Sequence, residues 1–261
     1  GQALIGNGSG VLSYSNSSAL DFTFNSITVG KGANSVAGNT VLGESALDAS
    51  VSGTNNVAIG LNALTENTSG NSNNAVGKDA GKSITTGSNN NFFGVLAGEN
   101  TSTSDFNCAF GQEALEANTT GASNVAMGFR ALEANTTANH NIAIGREALK
   151  VNTTGTLNVA VGNFALDANT TANNNTALGY AALTGNTTGS NNTGLGNNCL
   201  FENTTGVNNT GVGSAALDAN TTASNNTAVG VNALGANTTG NSNTAVGLSA
   251  LTANTTGTQN V

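Results

Sequence analysis

The stretch NTALGYAALTGNTTGSN, residues 175–191, decides the architecture. Its outline returns every seventeen residues. Gly179 belongs to a column that runs Gly43, Gly60, Gly77, Gly94, Gly111, Gly128, Gly145, Gly162, Gly179, Gly196, Gly213, Gly230 and Gly247 without a slip. A short fixed period with a repeated apolar signature marks a solenoid or fibre, whose units stack rather than fold alone. Seventeen residues are too few for two helices and their turns. A glycine in every unit, β-branched residues beside it and an Asn-Thr-Thr-Gly segment in most units penalise helix and favour strand and turn. The expected fold is all-β: a parallel β-solenoid, or β-roll, with turns stacked about 4.8 Å apart.

In the quoted unit, Thr176 and Leu178 point to one side of an extended strand, and Ala177 and Gly179 to the other. The Leu178 column, from Leu42 through Phe93, Phe110, Met127 and Val212 to Val246, is apolar in every turn. The Leu183 column is leucine from Leu47 to Leu251, apart from Gly81 and Gly98. These two columns are the expected interior. The Ala177 column begins at Val41 and then holds only Ala or Gly, except at Phe92; the Ala182 column is as small and contains Cys199. Columns this small imply close approach, by the opposite wall of the coil or by another chain. Each buried Val or Leu contributes roughly 1.5–3 kcal/mol. Ordering the backbone of one turn costs about 17–34 kcal/mol. So thin a core predicts ladder hydrogen bonds, stacked Asn and Thr, and contacts to further chains.

Composition narrows the functions. The chain has 261 residues, 35 of them Gly, with no Pro or Trp; 8% are charged and the net charge is -8. Nothing is basic enough to neutralise a phosphate backbone, so nucleic acid is not an expected partner. No apolar run approaches the roughly 18 residues of a membrane span. Two Cys make no disulfide framework. Residues 1–38 do not keep the period and concentrate Leu12, Tyr14, Leu20, Phe22 and Phe24; they read as an N-terminal cap or assembly element. Residues 39–261 are the repeat array. Asn260 and Val261 open a further unit, and Gly1 to Leu4 looks like part of one, which suggests head-to-tail stacking.

Chemistry-bearing residues are few. His140 stands alone in a turn-like column and reads as a surface residue. Cys108 and Cys199 read as buried free thiols, with no His in phase to activate either. Glu113, Glu116, Glu133, Glu147 and Asp167, with Arg130, Arg146 and Lys150 among them, read as a solvated mixed-charge edge. The G-G-x-G-x-D form of calcium-binding rolls is missing, as are zinc spacings and phosphate-cradling loops. No metal, cofactor or catalytic residue is expected, and the sequence points away from an enzyme. The Asn-Thr-Thr row is the main polar feature. Asn67, Asn118, Asn135, Asn152, Asn169, Asn186, Asn203, Asn220, Asn237 and Asn254 each open a formal N-glycosylation acceptor. Asn174, Asn191, Asn208 and Asn225 stand in N-N-T acceptors as well. The row can carry sugar on the outside, or stack as an Asn ladder on the inside.

The segments NNVAIG (residues 55–60), SNVAMG (123–128) and HNIAIG (140–145) resemble the head repeats of trimeric autotransporter adhesins. The longer unit is similar to repeats of phage tail-fibre and bacterial surface proteins. The resemblance covers about Asn39 to Val261. It places Val57, Ile59, Val125 and Met127 at apolar strand positions, Ala58 and Ala126 at small positions between them, and Gly60 and Gly128 at the closing turn. It implies a left-handed parallel β-roll, packed three to an axis, on a cell surface or virion. The period departs from the shorter autotransporter unit, the extra residues falling in the Asn-Thr-Thr-Gly segment.

The functional expectation is a structural subunit of an extracellular fibre, filament or sheath, self-associating head to tail or as a parallel trimer and presenting a regular Asn/Thr-rich surface. In the trimer arrangement the Ala177 column is expected on the axis. Two alternatives remain at this stage. One is a tail fibre or adhesin that binds a surface glycan. The other is an ice-binding protein, which needs an exposed, regular Thr face.

Overall fold

The computed structural model describes residues 26–50 and 52–261, together with short strands at Gly6–Asn7, Val11–Leu12 and Phe22–Phe24. Numbered in chain order, β1 (Gly6–Asn7) and β2 (Val11–Leu12) pair antiparallel as a separate ribbon. The main sheet has 15 strands, from β3 (Phe22–Phe24) and β4 (Ile27–Gly30) through β5 (Thr40–Gly43) to β17 (Thr244–Val246). From β5 onward every neighbour is parallel, and each residue pairs with the one seventeen further on, as Thr176 with Thr193 and Leu178 with Leu195. The chain is a β-solenoid of seventeen-residue turns, as the period predicts.

Turn-to-turn hydrogen bonds extend well beyond the three-residue strands. The amide of Leu183 donates to Cys199 O (2.9 Å), that of Thr187 to Thr204 O (3.0 Å) and that of Gly179 to Val161 O (2.9 Å). The loops therefore stack as well as the sheet, which is how a turn with so little apolar surface satisfies its backbone. Tight corners keep the coil short. Ala181, Leu183 and Asn191 adopt φ of 51°, 55° and 61°, as do their equivalents along the array. The left-handed region costs an L-residue roughly 1–2 kcal/mol, and only the regular stacking of every turn makes it tolerable for Leu. Gly179 has φ 141°, and a Cβ there would collide with the carbonyl oxygen of Gly196 in the next turn. Both conformation and space reserve this column for glycine.

The core departs from the expected one in one wall. The Leu183 column is inside: Leu47, Leu64 and every Leu from Leu115 to Leu234 are fully buried. The Leu178 column is not. Leu178 is 51% exposed, Phe110 55% and Met127 41%, whereas Ala177, Ala126 and Ala109 are fully buried. The reason is the width of the coil. The strand wall faces the wall that carries Ala182 and Leu183, and leucine already fills the gap. A Cβ added at Gly194, in the Ala177 column, would sit 3.3 Å from Leu183 Cγ. The opposing wall therefore has room for a methyl group and no more, and the larger residues at positions 176 and 178 of the strand face outward. It follows that the Ala177 column cannot lie on an axis between chains.

Exceptions to the small wall are compensated. Phe92 is fully buried in the Ala177 column, and its own turn and the preceding one supply Gly98 and Gly81 where other turns have Leu. A Cβ at Gly98 would lie 2.6–2.7 Å from the Phe92 ring, and one at Gly81 2.8 Å from Phe92 Cδ2. Cys199, larger than the Ala it replaces, abuts Gly211 in the same manner. Residues 26–38 adjoin the first turn. β4 pairs antiparallel with β5, Gly32 packs on Leu47, and Asn34 Nδ2 donates to Ser50 O (2.8 Å). Tyr14 and Leu20, singled out in the N-terminal element, lie outside the described residues.

Candidate functional site

Three kinds of repeated surface or lining emerge. The first is internal. Asn67, Asn118, Asn135, Asn152, Asn169, Asn186, Asn203, Asn220 and Asn237 are fully buried; only Asn254, in the last turn, is half-buried. Asn186 Nδ2 donates to Asn169 Oδ1 (3.1 Å) and to Gly189 O (2.9 Å), and the neighbours repeat the pattern. Both amide hydrogens are used and no space remains outside Nδ2. Sugar on these nine residues is incompatible with the packing, so the row is an internal ladder and not an outward glycan row. Peptide mapping is expected to find all nine unmodified in folded material. A glycan at Asn186 in a chain that keeps its β signature would contradict the ladder.

A second ladder escaped the sequence reading. Asn39, Asn56, Asn73 and their equivalents recur without a break to Asn260. Asn175 Oδ1 accepts the backbone amide of Asn192 in the next turn (2.9 Å), while Asn175 Nδ2 donates to Gly189 O (2.9 Å). Gly189 O thus takes one amide from each ladder and fills both lone pairs. The signal was available: this column is Asn even where the first ladder holds Ser50, Ile84 and Thr101. An Asn that opens an N-T-A-V-G strand motif looks like a turn residue, and its role was missed.

The Asn-Thr-Thr threonines divide by function. The hydroxyl of Thr187 donates to Thr204 O (3.1 Å), and the column does so along the array. The following column, Thr86 to Thr256, is exposed throughout. Asn174, Asn191, Asn208 and Asn225 are also exposed, at left-handed corners. His140 occupies the same exposed corner column. The uncharged character grows along the rod, for residues 151–261 contain no Lys or Arg.

The third element is the outer face of the sheet. Positions equivalent to Thr176 and Leu178 carry no charge in any turn, and the Leu178 position is apolar in all of them. The flanking Tyr180 position adds Leu61, Val95, Phe129, Tyr180, Val231 and Leu248. The band is broadest in the central turns, where Val125, Met127 and Phe129, then Ile142 and Ile144, stand side by side; Met127, Phe129, Ile142 and Ile144 are each 37–41% exposed. Phe93 and Phe110 stack along it with centroids 5.6 Å apart. From Thr176 on, a Thr rank replaces the aliphatic one beside the Leu178 column.

The charged residues form the mixed edge that the sequence suggests. Arg130 lies between Glu113 and Glu133, Lys82 is 3.8 Å from Glu99, and Glu147 takes both Arg146 (3.2 Å) and Lys150 (3.5 Å). Gln112 and then Arg130 hold the Glu113 carboxyl below its usual range, while burial and the neighbouring carboxylates push Glu116 up. Oxygens of Glu113, Glu116 and Glu133 gather within 4.8 Å, and Arg130 supplies their counter-charge. Such exposed pairs add little stability. Of the two thiols, only Cys199 is fully buried, which pushes its pKa up to about 12; Cys108 is half-buried on the outer sheet face, contrary to the expectation that both are enclosed. Maleimide is expected to reach Cys108 and to leave Cys199 untouched until the chain is denatured. Equal labelling of both in the folded state would contradict this placement. No family model, curated protein or solved structure matches this chain.

Proposed function

We propose that the protein is a structural, self-associating β-solenoid: a subunit of an extracellular fibre, filament or sheath whose copies pack side by side through the outer sheet face. One observation carries this reading, the uncharged strip of the Thr176 and Leu178 columns, apolar at the Leu178 position in every turn, that runs the length of the array. Exposed apolar patches of more than a few hundred Å² mark interaction sites. Thirteen strands at about 4.8 Å give a face about 58 Å long, and with the flanking Tyr180 position, where Glu44, Lys78 and Arg146 interrupt the apolar residues, three outward positions make it roughly 14 Å wide. The product, about 800 Å² per copy, is what a stable interface needs. A compact partner covers only part of so long and straight a strip. An occupant of equal length with a matching strip is a second copy of the chain.

Two internal Asn ladders give each rod rigidity without disulfides, and the Asn/Thr surface away from the band keeps the assembly hydrated. The ice-binding alternative has less behind it. In the Asn-Thr-Thr segment the inner Thr hydroxyls are consumed by the ladder and the outer rank follows a corner, and the Thr rank on the sheet face runs over five strands, Thr176 to Thr244, and is half-buried in the first four. Light scattering across a concentration series tests the proposal. The mass is expected to exceed the 25.5 kDa of one chain, and Met127→Lys with Ile144→Lys is expected to return it toward that value without loss of the β signal. A wild-type monomer at high concentration would overturn it.

A further inference from the structure

Two copies with their outer faces together can run the same way or opposite ways. Running the same way sets the Leu178 column on itself, turn by turn, and the Thr176 column against the Tyr180 column. Running opposite ways sets each column against its own equivalent in reversed order. The columns are uneven along the rod, and the unevenness separates the two arrangements. The Thr176 column reads Val57, Asn74, Asn91, Cys108, Val125, Ile142 and Val159, then threonine from Thr176 to Thr244. The Tyr180 column carries Glu44, Lys78 and Arg146 in its first seven turns and no charge in the rest.

We infer that the copies run in opposite directions, about a two-fold axis that passes between Ile144 and Val161. The inference rests on the self-association proposed above. This axis overlaps twelve of the thirteen parallel turns and leaves the turn of Glu44 outside. In the Leu178 column the largest residues, Phe93 and Phe110, meet Val212 and Leu195, so that bulk on one copy faces less bulk on the other. In the Thr176 column the half-buried Asn74 and Asn91 meet Thr227 and Thr210, whose hydroxyls both donate and accept, while Ile142 meets Val159. In the Tyr180 column Leu61 meets Leu248, Phe129 meets Tyr180, Gln112 meets Asn197 and Arg146 meets Asn163. Two contacts are mismatched, Val95 against Ser214 and Lys78 against Val231. Lys78 stands on the flank, 58% exposed with its ammonium 3.7 Å from Asp79, where a lysine lays its stem on apolar surface and keeps its charge in water. Copies running the same way at equal height are matched less well. They set Asn91 against Val95, Ile142 against Arg146 and Val159 against Asn163, each twice by symmetry. A polar group closed against an apolar one loses water and gains no partner. Moving the reversed axis by half a turn, onto Ile144, sets Arg146 against Arg146 and Phe129 against Asn163.

Cross-linking reads the direction. Cys108→Ser removes the outer thiol, and Cys199 is enclosed and does not compete. In that background Ile59→Cys and Val246→Cys are made in separate chains, both on the outer face. Each is treated with a short bismaleimide alone, and again after the two are mixed at dilution and concentrated together until light scattering finds association. In the reversed arrangement Ile59 of one copy lies against Val246 of the other, whereas the two Ile59 positions of a pair are eleven turns apart, about 53 Å. Linked dimer on denaturing gels is expected from the mixture, severalfold above either chain alone. Val229→Cys mixed with Ile59→Cys reports a pairing one turn out of step and is expected to link less. Linkage of each chain with itself, not raised by mixing, would overturn the reversed direction and leave self-association standing. Associated protein that links in no combination would overturn it as well. A greater yield with Val229→Cys than with Val246→Cys would overturn the stated position of the axis. Light scattering that finds only monomers would remove the underlying reading, and this inference with it.

Discussion

Gly98→Leu is expected to destabilise the solenoid by about 3 kcal/mol, although leucine is what that column holds in most other turns. The substitution drives a side chain into the ring of Phe92, which lies 2.6–2.7 Å from the site of a Cβ. Overpacking of this kind costs about 1–3 kcal/mol and sometimes more. Phe92→Ala alone is expected to lose about 3–5 kcal/mol, because it empties a space that Gly81 and Gly98 leave open. Together, Phe92→Ala and Gly98→Leu return the turn toward the pattern of its neighbours, and the pair is expected to lose less than the sum by more than about 2 kcal/mol. Urea denaturation of the four chains measures this directly. Simple addition of the two losses would mean that the ring and the glycine do not share one space.

This compensated site shows what the sequence made legible. The period, the strand wall, the leucine interior and the glycine column could be read because each depends on a residue type recurring in phase. Phe92, Gly81 and Gly98 were visible as exceptions, but their connection was not. Phe92 and Gly98 are near in sequence, yet only the folded coil sets their walls opposite one another. The inside and outside of the strand were assigned the wrong way round for a related reason. Uniform apolarity suggested burial, and Leu178 is as apolar as Leu183. What separates them is the width of the coil, which the spacing of residues does not state. The Ala177 column, small in all turns but those of Val41 and Phe92, was the better guide, since a coil one leucine wide leaves its opposite wall room for little more than Ala or Gly.

The Asn rows were half legible. Stacking was foreseen for the Asn186 row, alongside sugar attachment, and its burial settles the geometry in favour of the ladder. The Asn175 row was quoted in the motif without a role. Side-chain amides that donate seventeen residues back or fourteen on are invisible to local rules for turns, which look two to four residues away. The outward face was also hidden, because its residues had been placed inside. Its recovery is what turns a thin core into an argument for association: the apolar residues absent from the interior are on the surface, in line.

One pair of variants tests that reversal most directly. Leu183→Lys places an ammonium in a fully enclosed site with no acidic partner, against Ala and Leu on all sides. Burial of an unpaired charge is among the few single changes that cost more than about 4 kcal/mol. Leu178→Lys, five residues earlier, places the same group on the outer face, where Leu178 is 51% exposed. In a dilute, dissociated sample its cost is expected to be within about 1 kcal/mol. Thermal unfolding followed by circular dichroism, with both variants held at the same low concentration, is the measurement. The account predicts a wild-type-like transition for Leu178→Lys and a strongly lowered or absent one for Leu183→Lys. Equal damage from the two, or greater damage from Leu178→Lys, would contradict it.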